Sequence, residues 1–343
     1  MARYRAVIIG TGRIASLLEH DPLRSKPNTH AGWYRQHPEI ELVAGADTDP
    51  TRLQAFGADW GIPQARLFAD YQAMLQQTRP DLVSICAYAP QRFDMIRASV
   101  HAGARGLWIE KAIACSIPEA TELEHLLRQS GVTAIVDHPR RTDPAYRAVR
   151  RIITEGELGD LLSVTCMMSG SLIHTGTHAF DMLDYWCGSM TGAVGVLEKP
   201  LSMNDSIQDC GGSGQLFFDS GVHAFIVGRT RGYYIFQFDL AFTRGRIMIG
   251  NDIQRVLLPG PSKLYAGFEE LFEDPDFELF DPYPWPMVHD LIHAIETGAE
   301  PAMSLANAIR AFKMGLALFQ SHREGTRLIQ PEELDETLRI ESI

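Results

Sequence analysis

The chain has 343 residues, which suggests about two domains at roughly 150 residues each. It carries 31 lysines and arginines against 43 aspartates and glutamates, a net charge of −12. This balance excludes a protein whose main role is to bind nucleic acid or an anionic membrane, because both partners need a basic surface.

The cysteines and the amino-terminal residues indicate a cellular compartment. The five cysteines are widely spaced, odd in number and without a CxxC pair. That usage is typical of a reducing compartment rather than of a disulfide framework. The first residues lack the apolar stretch of a signal peptide, and no uninterrupted apolar run reaches 18 residues. We therefore expect a cytoplasmic protein without a membrane span.

A glycine-rich motif follows the first predicted strand, residues 4–9. It reads G-x-G-x-x-A over Gly10, Gly12 and Ala15, ahead of an expected helix. The first glycine permits the tight turn, the second lets the backbone approach a pyrophosphate, and the small alanine lets helix and strand pack closely. The helix N-terminus would offer its N–H groups to the phosphates. The predicted cofactor contacts in this motif are Gly10, Gly12, Arg13 and Ile14.

An acidic residue, Asp47, ends the second predicted strand, residues 41–46. An acid at this position binds a ribose 2′-hydroxyl and repels a 2′-phosphate, which favours NAD over NADP. The alternative is that Asp47 caps the next helix, because Asp-Thr-Asp-Pro is also a good helix start.

The distance between the motif and Asp47 is unusually long. Ala15 and Asp47 lie 32 residues apart, against about 20 in the usual pattern. We place the excess in an inserted loop between His20 and His37, with His30 and Tyr34 as candidate substrate contacts.

Strands and helices alternate up to residue 137, which predicts a doubly wound parallel sheet with ligands at the carboxyl ends of its strands. Lys111, one of only five lysines, follows the fifth strand directly, where we expect the nicotinamide; the alternative is an ordinary solvated lysine. Predicted helices cover 50–59, 69–78, 91–102 and 118–129, and predicted strands cover 66–68, 81–87, 106–110 and 132–137. Further predicted cofactor contacts are Ala87, Ala89, Pro90, Glu110 and Lys111, and Tyr88 is a candidate substrate contact.

The second half of the chain has a different pattern. An amphipathic helix ends at Gly156-Glu-Leu-Gly159, a strand covers 161–167, and a histidine-containing segment leads into an apolar helix that runs through Trp186. Residues 193–258 alternate with little helical signal, which predicts an antiparallel sheet. Helices at about 284–297 and 305–323 close the chain.

The order of these motifs resembles the Gfo/Idh/MocA oxidoreductase family, which includes glucose–fructose oxidoreductase and inositol dehydrogenase. The resemblance implies a Rossmann domain over residues 1–135. A substrate-binding and oligomerisation domain with a large open, mostly antiparallel sheet would cover 136–343. It also implies that NAD(P) exchanges a hydride with a secondary hydroxyl or keto group of a sugar, inositol or glycoside. A homodimer or homotetramer would form through the sheet. The motifs are Gly10-x-Gly12-x-x-Ala15, Ala89-Pro90, Glu110-Lys111, Gly156-Glu-Leu-Gly159, Gly176-x-His178-x-x-Asp181 and residues 289–298.

The resemblance also implies roles for individual residues. Lys111 matches the lysine of the family's Glu-Lys-Pro motif, which hydrogen-bonds the reacting hydroxyl, and His178 matches the general acid/base. Asp181 lies one turn beyond His178, and we expect it to orient substrate together with His174. This sequence departs from the family twice: Ala112 replaces the proline, and His174 stands where aspartate is frequent.

The chemistry of alcohol oxidation supports these roles. A base of near-neutral pKa must take the proton from the alcohol, which suits the histidine. The charge of the nicotinamide ring would lower the pKa of a neighbouring lysine.

Two arginines and several histidines leave alternatives open. Arg140 and Arg141 could bind a substrate carboxylate or phosphate, or form structural salt bridges. No metal site is predicted, because HExxH and a cysteine partner at ligand spacing are both absent. Two further functions stay open: an enzyme that uses bound NAD for transient oxidation in a net non-redox reaction, and an inactive cofactor-sensing protein. The histidines and acid weighed as metal ligands are His174, His178, Asp181, His289 and His293.

Overall fold

The computed structural model describes residues 3–199, 207–275 and 287–341, which divide into two compact units. Unit 1 contains the described residues 3–139 and 287–308, and unit 2 contains the others. The sequence-based division at residue 135 differs from this one, because residues 136–139 and 287–308 belong with unit 1.

Unit 1 is built on a six-stranded parallel sheet with the strand order β3-β2-β1-β4-β5-β6. The central strands are buried along most of their length, as expected for a sheet covered on both faces. The doubly wound parallel sheet predicted from the sequence is confirmed. The strands are β1 (Tyr4–Ile9), β2 (Ile40–Ala46), β3 (Leu67–Phe68), β4 (Leu82–Ile85), β5 (Gly106–Ile109) and β6 (Thr133–Val136).

Five helices alternate with these strands. The helix expected after the glycine motif does not form: residues 13–16 form turns and Leu17–His20 is a short 3-10 helix. The first α-helix begins only after Thr29, whose side chain accepts a hydrogen bond from Gly32 N. The region predicted as a loop therefore contains a helix. The helices are α1 (His30–Gln36), α2 (Pro50–Trp60), α3 (Tyr71–Thr78), α4 (Ala89–His101) and α5 (Ile117–Ser130).

Unit 2 contains an eight-stranded mixed sheet with the order β15-β14-β13-β12-β7-β11-β10-β8. β7 and β11 pair in parallel and the other neighbours pair antiparallel, which confirms a mostly antiparallel sheet. The helices are α6 (Pro144–Glu155) and α7 (Gly176–Cys187). The strands are β7 (Leu161–Ser169), β8 (Met190–Leu197), β9 (Ile207–Gln208), β10 (Gly212–Phe218), β11 (His223–Arg229), β12 (Phe236–Phe242), β13 (Gly245–Gly250), β14 (Gln254–Pro261) and β15 (Glu269–Glu273).

The carboxyl-terminal segments return to the first unit before they complete the second. α8 (Met287–Thr297) packs on β5, where a Cβ added at Gly106 would lie 2.6 Å from Ile295 Cδ1. This packing explains why the sequence-based boundary was incomplete. α9 (Leu305–Arg323) follows, and β16 (Ile340–Glu341) pairs with β9. Within the described ranges, every helix is too short or too polar to cross a membrane.

Candidate cofactor and active site

The carboxyl ends of the six parallel strands meet at one edge of the unit 1 sheet. Gly10 follows β1 and Asp47 follows β2, and Glu110 follows β5 directly. In sheets of this topology, ligands bind at this edge, where the strand order reverses between β1 and β4. The sequence-predicted cofactor residues of three strands therefore share one edge.

Gly10 and Gly12 of the glycine motif have different structural reasons to be glycine. Gly10 has a φ of +83°, and a Cβ there would lie 2.9 Å from Cys86 O, so the fold itself requires glycine. A Cβ at Gly12 would meet only Arg52 Cδ, at 4.0 Å. The chain thus leaves room beside the Gly12 backbone, which fits the close approach of a dinucleotide pyrophosphate. Arg13 is exposed and Ile14 is partly exposed beside it.

Asp47 is almost buried and is held by several donors. Its carboxylate accepts hydrogen bonds from Thr11 N at 2.8 Å and Asp49 N at 2.8 Å, and Arg52 binds both of its oxygens. Burial favours the neutral acid, but the bonds from Arg52 and the two backbone amides outweigh it and lower the pKa of Asp47. The alternative of a helix cap is wrong for Asp47, because Asp49 caps α2.

Cofactor preference is expected to respond to the charge of Asp47. The variant Asp47→Asn retains an oxygen acceptor for Thr11 but loses the charge that repels a 2′-phosphate. We expect the Kd for NADP to fall at least about tenfold and the Kd for NAD to rise a few-fold, measured by fluorescence titration. Asp49→Asn is the matched control on the same loop and should leave the NAD/NADP ratio unchanged. A ratio unchanged in Asp47→Asn as well would contradict this role.

Lys111 is half-buried and directly follows the buried Glu110. The Lys111–Ala112 peptide bond is cis, although alanine replaces the family proline. The buried guanidinium of Arg92 donates to Ala112 O and so anchors this turn. The position of Lys111 after β5 is the one that the sequence predicted.

The remaining predicted residues of this edge lie at the start of α4. Ala89 and Pro90 form its first turn, and Ala87 is partly exposed just before it. Tyr88 is 61% exposed, so it is accessible to a ligand.

His30 and Tyr34 are buried, 1% and 0% exposed, which differs from the expectation that they contact substrate. The insertion lies before α1, and the helix turns both side chains into the core. His30 stacks on Trp108 with 3.8 Å between ring centroids. Its Nδ1 lies 2.9 Å from Ser84 Oγ, and its Nε2 lies 3.3 Å from Glu110 Oε1.

Two buried acids near His30 carry opposite pKa shifts. Burial alone would raise the pKa of Glu110, but the hydrogen bond and charge of His30, with Lys111 and Arg92, lower it to about 2. Burial, followed by repulsion from Glu110, raises the pKa of Asp137 well above its usual range. Glu110 is therefore ionised at neutral pH, whereas its surroundings favour the neutral acid at Asp137. His30, Glu110 and Asp137 are a group of metal-ligand type brought together within the described ranges, and sequence reasoning missed this cluster.

His178 lies in the first turn of α7 in unit 2 and is partly exposed. Its ring meets Phe236 edge-on, with 6.5 Å between centroids. His174 is exposed just before the helix, and its backbone N–H donates to Asp209 Oδ2 at 2.7 Å. Asp209 also accepts from Ser171 Oγ and thereby fixes the turn that presents both histidines.

Asp181 and Arg141 form a buried ion pair, which differs from the substrate contact expected of Asp181 and corresponds to the salt-bridge alternative for Arg141. Arg141 Nε lies 2.8 Å from Asp181 Oδ1, and its Nη2 lies 2.7 Å from Asp184 Oδ2. Arg310 binds Asp184 from the other side. Asp181 is 1% exposed, so a structural role explains the pair better than substrate binding.

Arg140 has a different environment from its neighbour. Its Nη2 donates to Asn251 Oδ1 at 2.9 Å, and its guanidinium lies 3.9 Å from the centroid of the Phe236 ring. Nε donates weakly to Tyr146 Oη. Across the described part of unit 2, no carboxylate pairs with Arg140. This cation shares Phe236 with His178, the predicted acid/base.

Residues 4–138 match the family model described as oxidoreductase family, NAD-binding Rossmann fold. Those residues include the complete parallel sheet of unit 1. The chain thus matches the Gfo/Idh/MocA family over residues of its first unit. Its first unit is accordingly an NAD-binding Rossmann domain.

Curated relatives match at low identity. The chain is 29% identical over 157 residues to D-apiose dehydrogenase of Paraburkholderia graminis, covering 46% of this chain and 38% of that protein. It is 26% identical to D-glucoside 3-dehydrogenase of Escherichia coli over 54% of each chain. It thus spans about half or less of the length of these two proteins. It is 23% identical to scyllo-inositol 2-dehydrogenase (NAD(+)) of Bacillus subtilis over 96% of each.

Solved structures share the fold over nearly the full chain. One is a putative NADPH-dependent oxidoreductase from Desulfitobacterium hafniense, with a TM-score of 0.80 and 17% identity over 97% of this chain and 99% of that one. Another is the WlbA dehydrogenase of Bordetella pertussis in complex with NADH and UDP-GlcNAcA, with a TM-score of 0.74 and 18% identity over 96% and 98%. At these identities the likeness establishes the fold alone.

Proposed function

We propose that this protein transfers a hydride between NAD and a secondary hydroxyl or keto carbon of a sugar, cyclitol or glycoside. The observation that carries the proposal is Lys111, which comes after β5 and Glu110 at the ligand-binding edge of the NAD-binding sheet. The relatives named as sugar and inositol dehydrogenases support this substrate class.

In this mechanism Lys111 binds the reacting oxygen. Its ammonium donates a hydrogen bond and stabilises the charge that develops on oxygen when the hydride leaves. Bound NAD supplies the hydride acceptor. The room beside Gly12 and the acid at Asp47 fit its pyrophosphate and ribose.

His178 acts as the general base in oxidation and the general acid in reduction. An imidazole titrates near neutral pH without further tuning, which suits both directions. The Asp209-anchored turn before α7 fixes the position from which His178 acts. His174, exposed on this turn, is the remaining candidate for orienting the substrate hydroxyls.

A panel of polyols, glycosides and keto sugars tests the function through NADH absorbance, with NAD and NADP compared. Substrate-dependent formation or consumption of NADH is expected. Substrate turnover without net NADH would instead indicate transient oxidation within a non-redox reaction. NAD binding without turnover of any panel member would indicate a cofactor-sensing protein. Either outcome would overturn the proposed dehydrogenase.

Arg140 is the residue that we propose to bind an anionic substituent of the substrate. Its guanidinium is nearly buried and stacked on Phe236, and an incoming carboxylate or phosphate would complete its charge pairing. We therefore expect acidic sugars to be better substrates than their neutral counterparts. Arg140→Met should lower kcat/KM about 100-fold for an acidic substrate and less than about threefold for a neutral one. Equal losses for both substrates would contradict anion binding.

The outer face of the unit 2 sheet is the surface that we propose for self-association. Met167, Val196 and Phe225 lie on three of its strands and are 42%, 49% and 42% exposed. Apolar groups on one broad face are typical of subunit interfaces. The homodimer or homotetramer implied by the family resemblance remains a prediction.

A further inference from the structure

A chain of buried hydrogen bonds in unit 1 ends at Glu110, the residue beside Lys111. Tyr34 Oη lies 2.8 Å from Ser84 Oγ, which lies 2.9 Å from His30 Nδ1. His30 Nε2 in turn lies 3.3 Å from Glu110 Oε1. These side chains come from α1, β4 and the end of β5, so packing of the domain core fixes each of them.

A second branch reaches the same acid from β6. Asp137 follows β6 and accepts a hydrogen bond from Trp108 Nε1 at 3.1 Å. The Asp137 carboxyl is hydrogen-bonded to Glu110, and its neutral form, which burial favours, donates its O–H to that carboxylate. The ionised Glu110 carboxylate thus has one donor from each branch, His30 and Asp137. Paired donors of this kind offset the cost of burying a carboxylate.

The groups around Glu110 restrict what the cluster can do. His30 and Asp137 are 1% and 7% exposed, too buried to contact a substrate. Their polar atoms already pair with protein groups, so hydrogen bonding accounts for the cluster without a metal. The charged and titratable groups that face Glu110 from the surrounding elements are His30, Cys86, Arg92, Lys111 and Asp137.

We propose that His30 is a positioning residue for the reaction: its Nε2–H keeps Glu110 ionised and fixed, and the Glu110 carboxylate maintains Lys111 as an ammonium. The proposal rests on the function proposed for Lys111. The positive charge of a bound nicotinamide favours loss of the lysine proton, and a fixed anion next to Lys111 opposes that loss.

The titration of Lys111 measures this effect without any substrate. The chain has only five lysines, so reductive methylation with ¹³C-formaldehyde gives a simple two-dimensional NMR spectrum. Lys111→Arg assigns the Lys111 signal by its disappearance. The titration midpoint of that signal is then compared between the wild type and variants with NAD bound.

Two variants are expected to lower the Lys111 midpoint by about one pH unit. His30→Phe retains a ring over Trp108 but removes the donor, so the buried Glu110 takes up a proton. Glu110→Gln removes the charge directly and keeps the side-chain shape. His30→Gln restores an N–H donor and should return the midpoint to within about 0.3 units of the wild type.

The matched control is His37→Phe, at the carboxyl end of the same helix. His37 is also nearly buried, but its ring lies at a tilt against His289 and its Nδ1 accepts from Glu39 N, outside the cluster. The titration midpoint of Lys111 in His37→Phe should equal that of the wild type. If His30→Phe does not fold, the Lys111 midpoint in Glu110→Gln alone tests the positioning role.

Three results would overturn the positioning role or separate it from the proposed dehydrogenase function. An unchanged midpoint in Glu110→Gln overturns the positioning role. One zinc per chain in the wild type that is lost in His30→Phe also overturns it, because the cluster would then be a metal site. Midpoints that shift in the variants, together with a wild type that oxidises no panel substrate, would support the positioning role and refute the proposed dehydrogenase.

Discussion

Lys111→Ala is expected to lower turnover by at least about 1,000-fold, with the Kd for NAD within about threefold of the wild type. Lys111 comes after β5 at the ligand-binding edge, whereas the glycines and Asp47 that we assign to the cofactor follow β1 and β2. Removing the ammonium therefore removes charge stabilisation at the reacting oxygen and little of the binding surface for NAD. Single-turnover absorbance and fluorescence titration measure the two quantities separately.

Two further lysine variants sharpen this prediction. Lys111→Arg retains a positive charge but cannot release a proton at neutral pH, so it separates electrostatic stabilisation from proton relay. Recovery of most of the activity would assign Lys111 the electrostatic role alone. Lys263→Ala, an exposed lysine of unit 2, is the matched control and should leave turnover unchanged. Near-normal turnover in Lys111→Ala would refute the proposed mechanism.

Arg141→Met is expected to destabilise the protein by about 3–5 kcal/mol and to lower the Tm by roughly 5–10 °C. The Arg141 side chain is 7% exposed and binds Asp181 and Asp184. Without Arg141, Asp181 remains buried without its ion-pair partner, whereas Asp184 keeps Arg310. Thermal unfolding monitored by circular dichroism measures the loss.

The loss should also depend on pH. Burial raises the pKa of Asp181 to about 6, with Arg141 opposing the shift. A raised pKa means that folding favours the protonated acid, so Asp181 costs stability as the pH rises through about 6. Without Arg141 the pKa rises further, and the difference from the wild type becomes larger at pH 7.5 than at pH 5.

An exposed arginine provides the control. Arg151→Met removes a guanidinium from α6 that is 51% exposed and pairs with Glu155, and it should leave the Tm close to that of the wild type. A similar, pH-independent loss in Arg141→Met and Arg151→Met would contradict the role of the buried pair.

The Rossmann half could be predicted well because its signals are local. β1 was predicted over residues 4–9 and forms over Tyr4–Ile9, and Gly10 adopts the positive φ that the motif requires. The break before α1 was harder to predict. A local pattern shows that extra residues exist but does not show that Thr29 begins a new helix that buries His30.

Strand β8 (Met190–Leu197) lies only partly within residues 193–258, which the sequence predicted as sheet, and its beginning illustrates a tertiary cause. Its sequence contains Gly192 and Gly195, which weaken a strand pattern. A Cβ at Gly195 would clash with the backbone of Leu318 in α9, so the glycine serves helix packing. This packing partner, Leu318, lies more than 100 residues away in the chain, so the local periodicity of the sequence does not report it.

The two adjacent arginines show the same limit for the site. Sequence reasoning gave Arg140 and Arg141 equal alternatives, and only the fold separates them. Arg141 is directed to two carboxylates, whereas Arg140 is stacked on Phe236 beside Asn251. The composition of a segment does not determine which of two neighbouring side chains faces a partner.

The return of α8 to unit 1 has a consequence for synthesis on the ribosome. The Rossmann sheet is translated early, but Leu291 and Ile295, which cover Gly106 of β5, are added only after most of unit 2 has been made. The apolar surface of β5 that these residues cover is therefore exposed in the nascent first unit until most of unit 2 has been synthesised. A gene truncated after residue 139 would encode all six strands and still lack one of the helices that cover them.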